Sequence, residues 1–287
     1  MTIDILSDLH FDYYFPSSSE LSEDAVKSIF DPIFFMNRTR ETGNVLIVAG
    51  DLGHYNKQNL EGLKIFQKHY YKHIICVLGN HDYYLINPDA QQFYEHDSLN
   101  RAKEMRELIN SQENMYCLDG NIVEINGVKF GGCDSWYNGS YLIQNKPIFE
   151  PTTESINRLW KSISNDSKYI FGVENFDDIY KIELPKIEAI YKECDVMITH
   201  INPSVKDKHI ALSYRDQPSN TFFTFDAESF MATGNMKYWI FGHTHDRIEY
   251  EQYGVQCICN PLGSPQESYY GDDTIIRSIE LWCQRRS

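Results

Sequence analysis

The sequence predicts an α/β layered sandwich, and two patterns indicate this fold class. Short apolar runs rich in β-branched residues recur along the chain and end in polar residues, which is typical of buried strands. Stretches with apolar residues at helical spacing separate several of these runs. The chain has 287 residues, which is enough to bury a core of its own, and we expect a single domain over residues 1–287.

The predicted elements follow in order along the chain. Strands are predicted over residues 2–6, 45–50, 73–79, 195–199 and 238–242. Helices are predicted over 22–36, where Pro32 can kink the helix, and over 57–71, 98–110 and 175–193, the last interrupted by Pro185. Residues 115–133 predict two strands around Asn126-Gly127, which is a strong hairpin signal, and residues 246–282 are predicted to be mainly strands.

Three segments do not fit a minimal core of this kind. They are rich in polar and aromatic residues together with Pro, Asn, Ser and Gly, and they cover residues 85–97, 134–174 and 202–225. From this composition we predict that they are surface insertions. Long loops in compact domains are often functional.

The composition excludes several classes of protein. The formal net charge is −15, from 26 Lys and Arg against 41 Asp and Glu, and this field disfavours long nucleic acid and anionic membranes as partners. No run is long and apolar enough to cross a membrane, and the first ten residues read as a strand rather than a signal peptide. Seven scattered cysteines without a CxxC pair indicate a reducing compartment, so we predict a cytoplasmic protein.

Polar side chains follow five of the predicted strands, at the point where each strand ends. They are Asp8, His10, Asp51, Asn80, His81, His200, His243 and His245. The carboxyl ends of neighbouring parallel strands meet at one edge of a sheet, so we expect these groups to converge. Asp8 and His10 alternate around one residue, which places them on the same side of an extended backbone.

Each of these residues alone is also typical of a turn, a helix cap or a strand-end histidine. Together they favour a metal site, because turns in solvent have no reason to select only Asp, Asn and His. Carboxylate, amide and imidazole donors suit Mn²⁺, Fe²⁺ and Zn²⁺, and the lack of thiolates argues against a structural zinc site. Eight groups are too many for one ion and suffice for two ions that share a carboxylate.

The ordered motifs resemble the calcineurin-like metallophosphoesterase superfamily. The chain carries DxH (Asp8, His10), GD (Asp51), GNHD (80–82), a lone strand-end His200 and GHxH (His243, His245), and a weaker Asn-Pro-x-Gly match begins at residue 260. The resemblance implies a four-layer α/β/β/α sandwich of two mixed sheets flanked by helices. It also implies two divalent metal ions, Mn²⁺, Fe²⁺/Fe³⁺ or Zn²⁺.

The resemblance further implies a role for each motif residue. Asp8, His10 and His245 would bind the first ion, Asn80, His200 and His243 the second, and Asp51 would bridge both. The expected reaction is hydrolysis of a phosphomonoester or phosphodiester by in-line attack of a hydroxide that the ions hold.

His81 is left over once the ligands are assigned. We hypothesise that it is the general acid for the leaving group, and the alternative is a histidine that only orients phosphate. Asp82 would either orient His81 or cap the helix that follows.

The sequence leaves the substrate open among three hypotheses. The first is a small or nucleotide-type phosphoester, the second is the ends of DNA or RNA, and the third is a non-catalytic protein-binding scaffold. The protein-phosphatase motif GDxVDRG reads GDLGHYN here and lacks its arginine, which disfavours a protein phosphatase. A basic groove beside the site would favour the nuclease, and a closed aromatic pocket would favour the small-molecule enzyme.

Several residues outside the motifs have two open interpretations. Trp136 and Tyr137 either stack on a nucleotide base or pack within their own loop. Arg215 and Arg247 either contact phosphate or lie in solvent. His54 lies either near the mouth of the site or in an exposed loop. The oligomeric state cannot be predicted from these patterns.

Overall fold

A computed structural model describes residues 1–15, 21–35, 43–145, 151–267 and 276–281. Residue 36 of the first predicted helix, residues 146–150 of the second predicted insertion, and residues 268–275 and 282 of the C-terminal strand region therefore lie outside the described residues.

The described strands form two mixed β-sheets. The first has the order β11-β1-β2-β3-β4, in which only β11 runs antiparallel to its neighbour. The second has the order β5-β6-β7-β8-β10-β9, with antiparallel pairs at its two edges and parallel pairs between them. The strands are β1 Thr2–Leu6, β2 Val45–Ala49, β3 His73–Val77, β4 Met115–Cys117, β5 Asn121–Ile125, β6 Val128–Gly132, β7 Val196–Ile198, β8 Tyr238–Phe241, β9 Ile248–Gln252, β10 Val255–Cys259 and β11 Arg277–Glu280.

The described helices flank the two sheets, and some of them lie in the predicted insertions. They are α1 Phe11–Tyr14, α2 Glu23–Phe35, α3 Asn56–His69, α4 Pro88–Phe93, α5 Ser98–Asn110, α6 Ser140–Asn145, α7 Thr153–Ile163, α8 Asp166–Tyr169, α9 Asp178–Ile190 and α10 Glu228–Thr233. Short 3₁₀ helices occupy Asn80–Asp82, Asp207–His209, Leu212–Tyr214 and Pro218–Phe222.

The alternation of side chains along the strands builds the layers. In β2, Val45 and Ile47 point into an apolar layer between the two sheets, where they meet residues such as Phe130 and Ile198 of the second sheet. The alternate residues of β2, such as Leu46, point outward into the larger apolar cluster that the helices cover. Both faces of the central strands are therefore buried, which explains why those strands read as continuous apolar runs.

The predicted α/β/β/α architecture is confirmed. The hairpin is also present, with Asn126 and Gly127 both at positive φ (52° and 79°) in the turn between β5 and β6. One strand was missed: β4, which precedes the hairpin, pairs with β3 and belongs to the first sheet. The extent of the domain over the whole chain stays a prediction.

The three predicted insertions carry regular secondary structure, and the described parts of the second and third are partly buried. Residues 85–97 carry α4, residues 134–174 carry α6, α7 and α8, and residues 202–225 carry 3₁₀ helices. Trp136 is 2% exposed and Tyr137 is fully buried. No helix in the described ranges is both long enough and apolar enough to cross a membrane. The cytoplasmic location stays a prediction.

Candidate metal centre

The predicted site residues converge at the carboxyl ends of β1, β2, β3, β7 and β8. Five of them adopt a left-handed backbone conformation, which costs a residue with a side chain about 1–3 kcal/mol. They are Asp8, His10, Asp51, His243 and His245, with φ between 43° and 70°. The sequence had suggested an extended DxH segment. The positive φ angles of Asp8 and His10 show that this prediction was wrong. Sharp turns, rather than strand alternation, bring these side chains together above the strand ends.

Four of the side chains form the first cluster. The Nε2 atoms of His10 and His245 lie 3.1 Å apart. Asp8 Oδ1 lies 3.6 Å from His245 Nε2, and Asp51 Oδ2 lies 3.7 Å from His10 Nε2. Ligand atoms about 2.1 Å from one ion lie roughly 3.0–3.4 Å apart at octahedral or tetrahedral angles. The cluster is thus close to the size of a metal site.

The second cluster shares Asp51 with the first. His200 Nε2 lies 3.1 Å from Asn80 Oδ1 and 3.5 Å from Asp51 Oδ1. His243 Nδ1 lies 3.0 Å from the same Asn80 Oδ1. The two carboxylate oxygens of Asp51 therefore face different clusters, which is the position required of a bridging ligand.

Protons alone do not satisfy the second cluster. His200 Nδ1 donates to the Ala49 carbonyl at 2.8 Å, and His243 Nε2 donates to the Phe222 carbonyl at 3.0 Å. In the neutral rings the other nitrogens are lone-pair acceptors, and both point at Asn80 Oδ1, which is an acceptor as well. A cation between them resolves this conflict, and carbonyl-anchored imidazoles are typical of metal ligands.

The first cluster is supported in a different way. His245 Nδ1 donates to Glu267 Oε2 at 3.0 Å, which leaves Nε2 facing the cluster. His10 has no such anchor: its Nδ1 is buried without a hydrogen-bond partner in the described part of the chain. Its ring instead stacks on Tyr13, with the centroids 4.7 Å apart.

The orientation of Asn80 is set from the second predicted insertion. Asp166 Oδ1 accepts from Asn80 Nδ2 at 2.9 Å and from the Tyr84 hydroxyl at 2.6 Å. Its Oδ2 accepts from the Tyr137 hydroxyl at 2.7 Å, and Trp160 Nε1 in turn donates to that hydroxyl. The amide nitrogen of Asn80 is thereby occupied, and its oxygen is turned toward the two histidines. No motif in the sequence pointed to Asp166.

Two glycines let the strand ends approach closely. A Cβ atom on Gly79 would lie 2.2 Å from Asp51 Oδ1, and a Cβ atom on Gly50, where φ is +87°, would lie 2.2 Å from His200 Nδ1. Both distances are far below van der Waals contact, so a larger residue would displace a candidate ligand.

The electrostatics of the clusters favour positive charge. Burial alone would lower the pKa of His200, but the Asp51 carboxylate beside it raises that pKa to about 10. Burial would raise the pKa of Asp51, but His200 and His81 hold it well below its usual range. The pKa of His243 falls to about 3 through burial and the charge of His200, and burial likewise lowers that of His10 to about 3. The Asp51 carboxylate thus favours a positive charge at the second cluster.

His81 lies beside the clusters and lines the cavity above them. Its backbone N–H donates to Asp51 Oδ1 at 2.9 Å, and Arg101 donates to its carbonyl at 2.7 Å. Its Nδ1 lies 3.0 Å from His54 Nε2. Burial lowers the pKa of His81 to about 3, although Asp51 acts against this. The ring is therefore neutral at pH 7 before any ligand binds.

Asp82 does not orient His81. Its carboxylate accepts from the backbone N–H groups of Leu52, Gly53 and Gly79, at 2.8–3.3 Å, and so ties the loop after β2 to the loop after β3. Burial, followed by the charge of Asp51, raises the pKa of Asp82 to about 7. The structure indicates a support of the loops rather than a participant in proton transfer.

Sequence reasoning also missed the surroundings of His54. Its side chain is 14% exposed and contacts both His81 and Asp12, so it is not an exposed loop residue. Asp12 and His54 lie 42 positions apart in sequence, and only the folded chain brings them together.

A cavity of about 430 Å³ opens above the clusters. Its floor contains Asp51, Asn80 and His243, and Ile163, Tyr214 and Phe223 form part of its wall. No lysine or arginine is among the described residues that line it.

The other open residues do not line this cavity. The aromatic side chains of Trp136 and Tyr137 are buried, and they pack partly outside their own loop, on Tyr83 and Phe222. Arg215 donates to the carbonyls of Ile210 and Lys208, and Arg247 is exposed.

A four-layer sandwich with Asp, Asn and His donors above its strand ends defines a class of metal-dependent phosphoesterases. The chain belongs to the calcineurin-like phosphoesterase family, whose sequence model matches residues 1–247. It is 24% identical over 280 residues to uncharacterized protein L509 of Acanthamoeba polyphaga mimivirus, covering 91% of each chain. The phosphopantetheinyl hydrolase (PptH) of Mycobacterium tuberculosis has the same fold, with a TM-score of 0.64 and 14% identity over 97% of this chain and 95% of that one.

Replacing Asp51 tests whether its carboxylate is shared by two ions. We expect Asp51→Asn to hold at least one divalent ion fewer per chain than the wild type, because the neutral amide weakens both clusters. Elemental analysis of dialysed protein measures this. Asp89→Asn, an exposed change of the same chemistry, is the control. Equal metal content in the wild type and Asp51→Asn would contradict the bridging position.

Removing Asp166 tests the orientation of Asn80. Asp166→Ala frees the amide to rotate, so we expect the affinity of the weaker-bound ion to fall about 10- to 100-fold while one ion remains. Calorimetric titration of the metal-free protein measures this, with Asn165→Ala on the same turn as the control. Unchanged affinities in Asp166→Ala would show that the hydrogen bond does not support a ligand.

Proposed function

We propose that this protein is a metal-dependent hydrolase of small phosphoesters that uses two divalent ions. The observation that carries the proposal is the cavity above the shared Asp51, because it joins a metal-sized donor cluster to a partly apolar wall without lysine or arginine among the described lining residues. A cavity of about 430 Å³ is within the range of small-molecule sites.

The positions of the donor atoms support the proposed ligands of each ion. Asp8, His10 and His245 would hold the first ion, and Asn80, His200 and His243 the second, with Asp51 shared. Nitrogen and oxygen donors of this kind suit Mn²⁺, iron or Zn²⁺. When bound, such ions polarise phosphoryl oxygens and lower the pKa of water.

The cavity wall favours a small leaving group over a nucleic acid. Ile163, Tyr214 and Phe223 line the cavity and are 48%, 50% and 37% exposed. An aromatic and aliphatic wall suits an apolar or uncharged leaving group, whereas a nuclease needs cations along the path of the backbone. Glu267, at the same mouth, adds negative charge. These features support the small-molecule hypothesis over the nuclease.

His81 is proposed as the general acid. It lines the cavity beside Asp51, and its Nδ1 faces His54, which leaves Nε2 as the nitrogen for the leaving group. The ring is neutral in the free protein, and an anionic phosphoester bound next to it favours its protonated form. Proton transfer from Nε2 to the departing oxygen then converts an alkoxide into an alcohol.

The protein-binding scaffold is the least supported hypothesis. A scaffold has no use for Asp51 as a shared carboxylate or for imidazoles whose lone pairs meet at one oxygen. The convergence of the two lone pairs is unfavourable unless a positive charge lies beside them.

An activity panel with the metal-loaded protein tests the function. We expect Mn²⁺-loaded protein to hydrolyse nitrophenyl phosphate, bis-nitrophenyl phosphate, a cyclic nucleotide or phosphopantetheine, and to leave single-stranded DNA intact. Product release is followed by absorbance and chromatography, with chelated protein as the control. Cleavage of DNA alone would favour the nuclease hypothesis. If no substrate is hydrolysed with any divalent ion, the hypothesis that the protein is an enzyme is contradicted.

Replacing His81 separates proton donation from metal binding. We expect His81→Ala to keep the metal content and to lose about 10²- to 10⁴-fold in kcat on an alkyl phosphate. The loss on nitrophenyl phosphate should be smaller, because nitrophenolate leaves without a proton. The exposed change His96→Ala is the control. Full activity of His81→Ala on the alkyl ester would exclude the acid role.

A further inference from the structure

His54 and Asp12 form a hydrogen-bonded chain that ends at His81. Asp12 Oδ2 lies 2.8 Å from His54 Nδ1, and Asp12 Oδ1 accepts from the backbone N–H of His54 at 3.2 Å. His54 Nε2 lies 3.0 Å from His81 Nδ1. The two rings are within 13° of parallel with centroids 5.0 Å apart, a separation that fits rings meeting nitrogen to nitrogen.

The chemistry of the three groups gives the chain a direction. An ionised carboxylate only accepts hydrogen bonds, so His54 donates to Asp12 from Nδ1. When its ring is neutral, His54 presents a lone pair at Nε2, and this lone pair accepts from Nδ1–H of His81. The remaining nitrogen of His81, Nε2, is left for the cavity. A carboxylate that fixes a tautomer in this way is a known device of acid–base sites.

The chain is held rigidly on both sides. A Cβ atom on Gly53 would lie 2.5 Å from Asp12 Oδ1, so the carboxylate packs directly against the loop that carries His54. Arg101 donates to the carbonyls of Gly53 and His81, both at 2.7 Å, and joins the two loops. The relative positions of His54 and His81 are therefore fixed by backbone contacts as well as by their own hydrogen bond.

We propose that Asp12 and His54 are positioning residues that set the tautomer and direction of the His81 imidazole. This inference rests on the proposed function, because it explains how the proposed acid is aimed. Neither residue joins the two clusters of candidate metal-ligating side chains found among the described residues.

The first experiment reads the tautomer without any turnover. Nitrogen NMR of Zn²⁺-loaded protein labelled in histidine reports which ring nitrogen carries the proton, and His81→Ala identifies the His81 signals. We expect Nδ1–H for His81 in the wild type and a shift toward Nε2–H in His54→Phe, which removes the acceptor. An unchanged tautomer in His54→Phe would overturn the proposal, whatever the protein hydrolyses.

The second experiment compares two leaving groups. We expect His54→Ala to lower kcat about 10- to 100-fold on an alkyl phosphate, with little change in KM and a smaller loss on nitrophenyl phosphate. His54→Gln, whose side-chain oxygen can accept from Nδ1–H, should recover part of the rate, whereas His54→Phe should not. Adding His54→Ala to His81→Ala should cost little more.

The outcomes distinguish a failure of the positioning role of Asp12 and His54 from a failure of the proposed hydrolase function. Equal losses on both esters, or equal rates in His54→Gln and His54→Phe, would reduce His54 to a structural residue and overturn the proposal. If the wild type hydrolyses none of the phosphoesters in the activity panel, the proposed function fails, and the tautomer measurement still decides whether the pair exists.

Discussion

The structure depends on one electrostatic conflict, in which lone pairs from two imidazoles converge on the side-chain oxygen of Asn80. The other ring nitrogen of His200 and of His243 donates its proton to a backbone carbonyl. Neither neutral ring therefore has a second N–H that could donate to the oxygen of Asn80. The amide cannot turn its own protons inward either, because Asp166 and Tyr84 hold its nitrogen. Only a positive charge relieves this arrangement, and the Asp51 carboxylate favours such a charge by raising the pKa of His200.

The surrounding fold maintains this conflict rather than relaxing it. Sharp left-handed turns at five of the candidate ligands point side chains back over the strand ends. Gly50 and Gly79 allow neighbouring strands to come so close that no side chain fits between them and the ligands. Asp82 and Arg101 then fasten the loops after β2 and β3 to each other through backbone groups. An unfavourable site of this kind is stable only where many separate contacts determine it.

Much of the fold was predictable because buried parallel strands appear in the sequence as continuous apolar runs. The candidate site residues were predictable because they follow the ends of those runs. The residues that support the ligands were not predictable in the same way. Asp166 and the Phe222 carbonyl come from segments without a motif, and Asp12 meets His54 only in the folded chain. Asp82 was expected either to orient His81 or to cap a helix, and its contacts with backbone N–H groups of the loop after β2 could not be read from the sequence. The backbone conformation of DxH was misread for a similar reason, since an alternating pattern does not reveal a left-handed turn.

The wall of the cavity comes from parts of the chain other than the strand ends below it. The wall residues named here lie in the second and third insertions, whereas the donors of both clusters lie on the short turns that leave the two sheets. Selection on the wall can therefore proceed without disturbing the reactive centre. Chains that preserve all seven donors are then free to diverge in substrate specificity. A shared metal-binding centre is therefore a poor guide to a shared substrate.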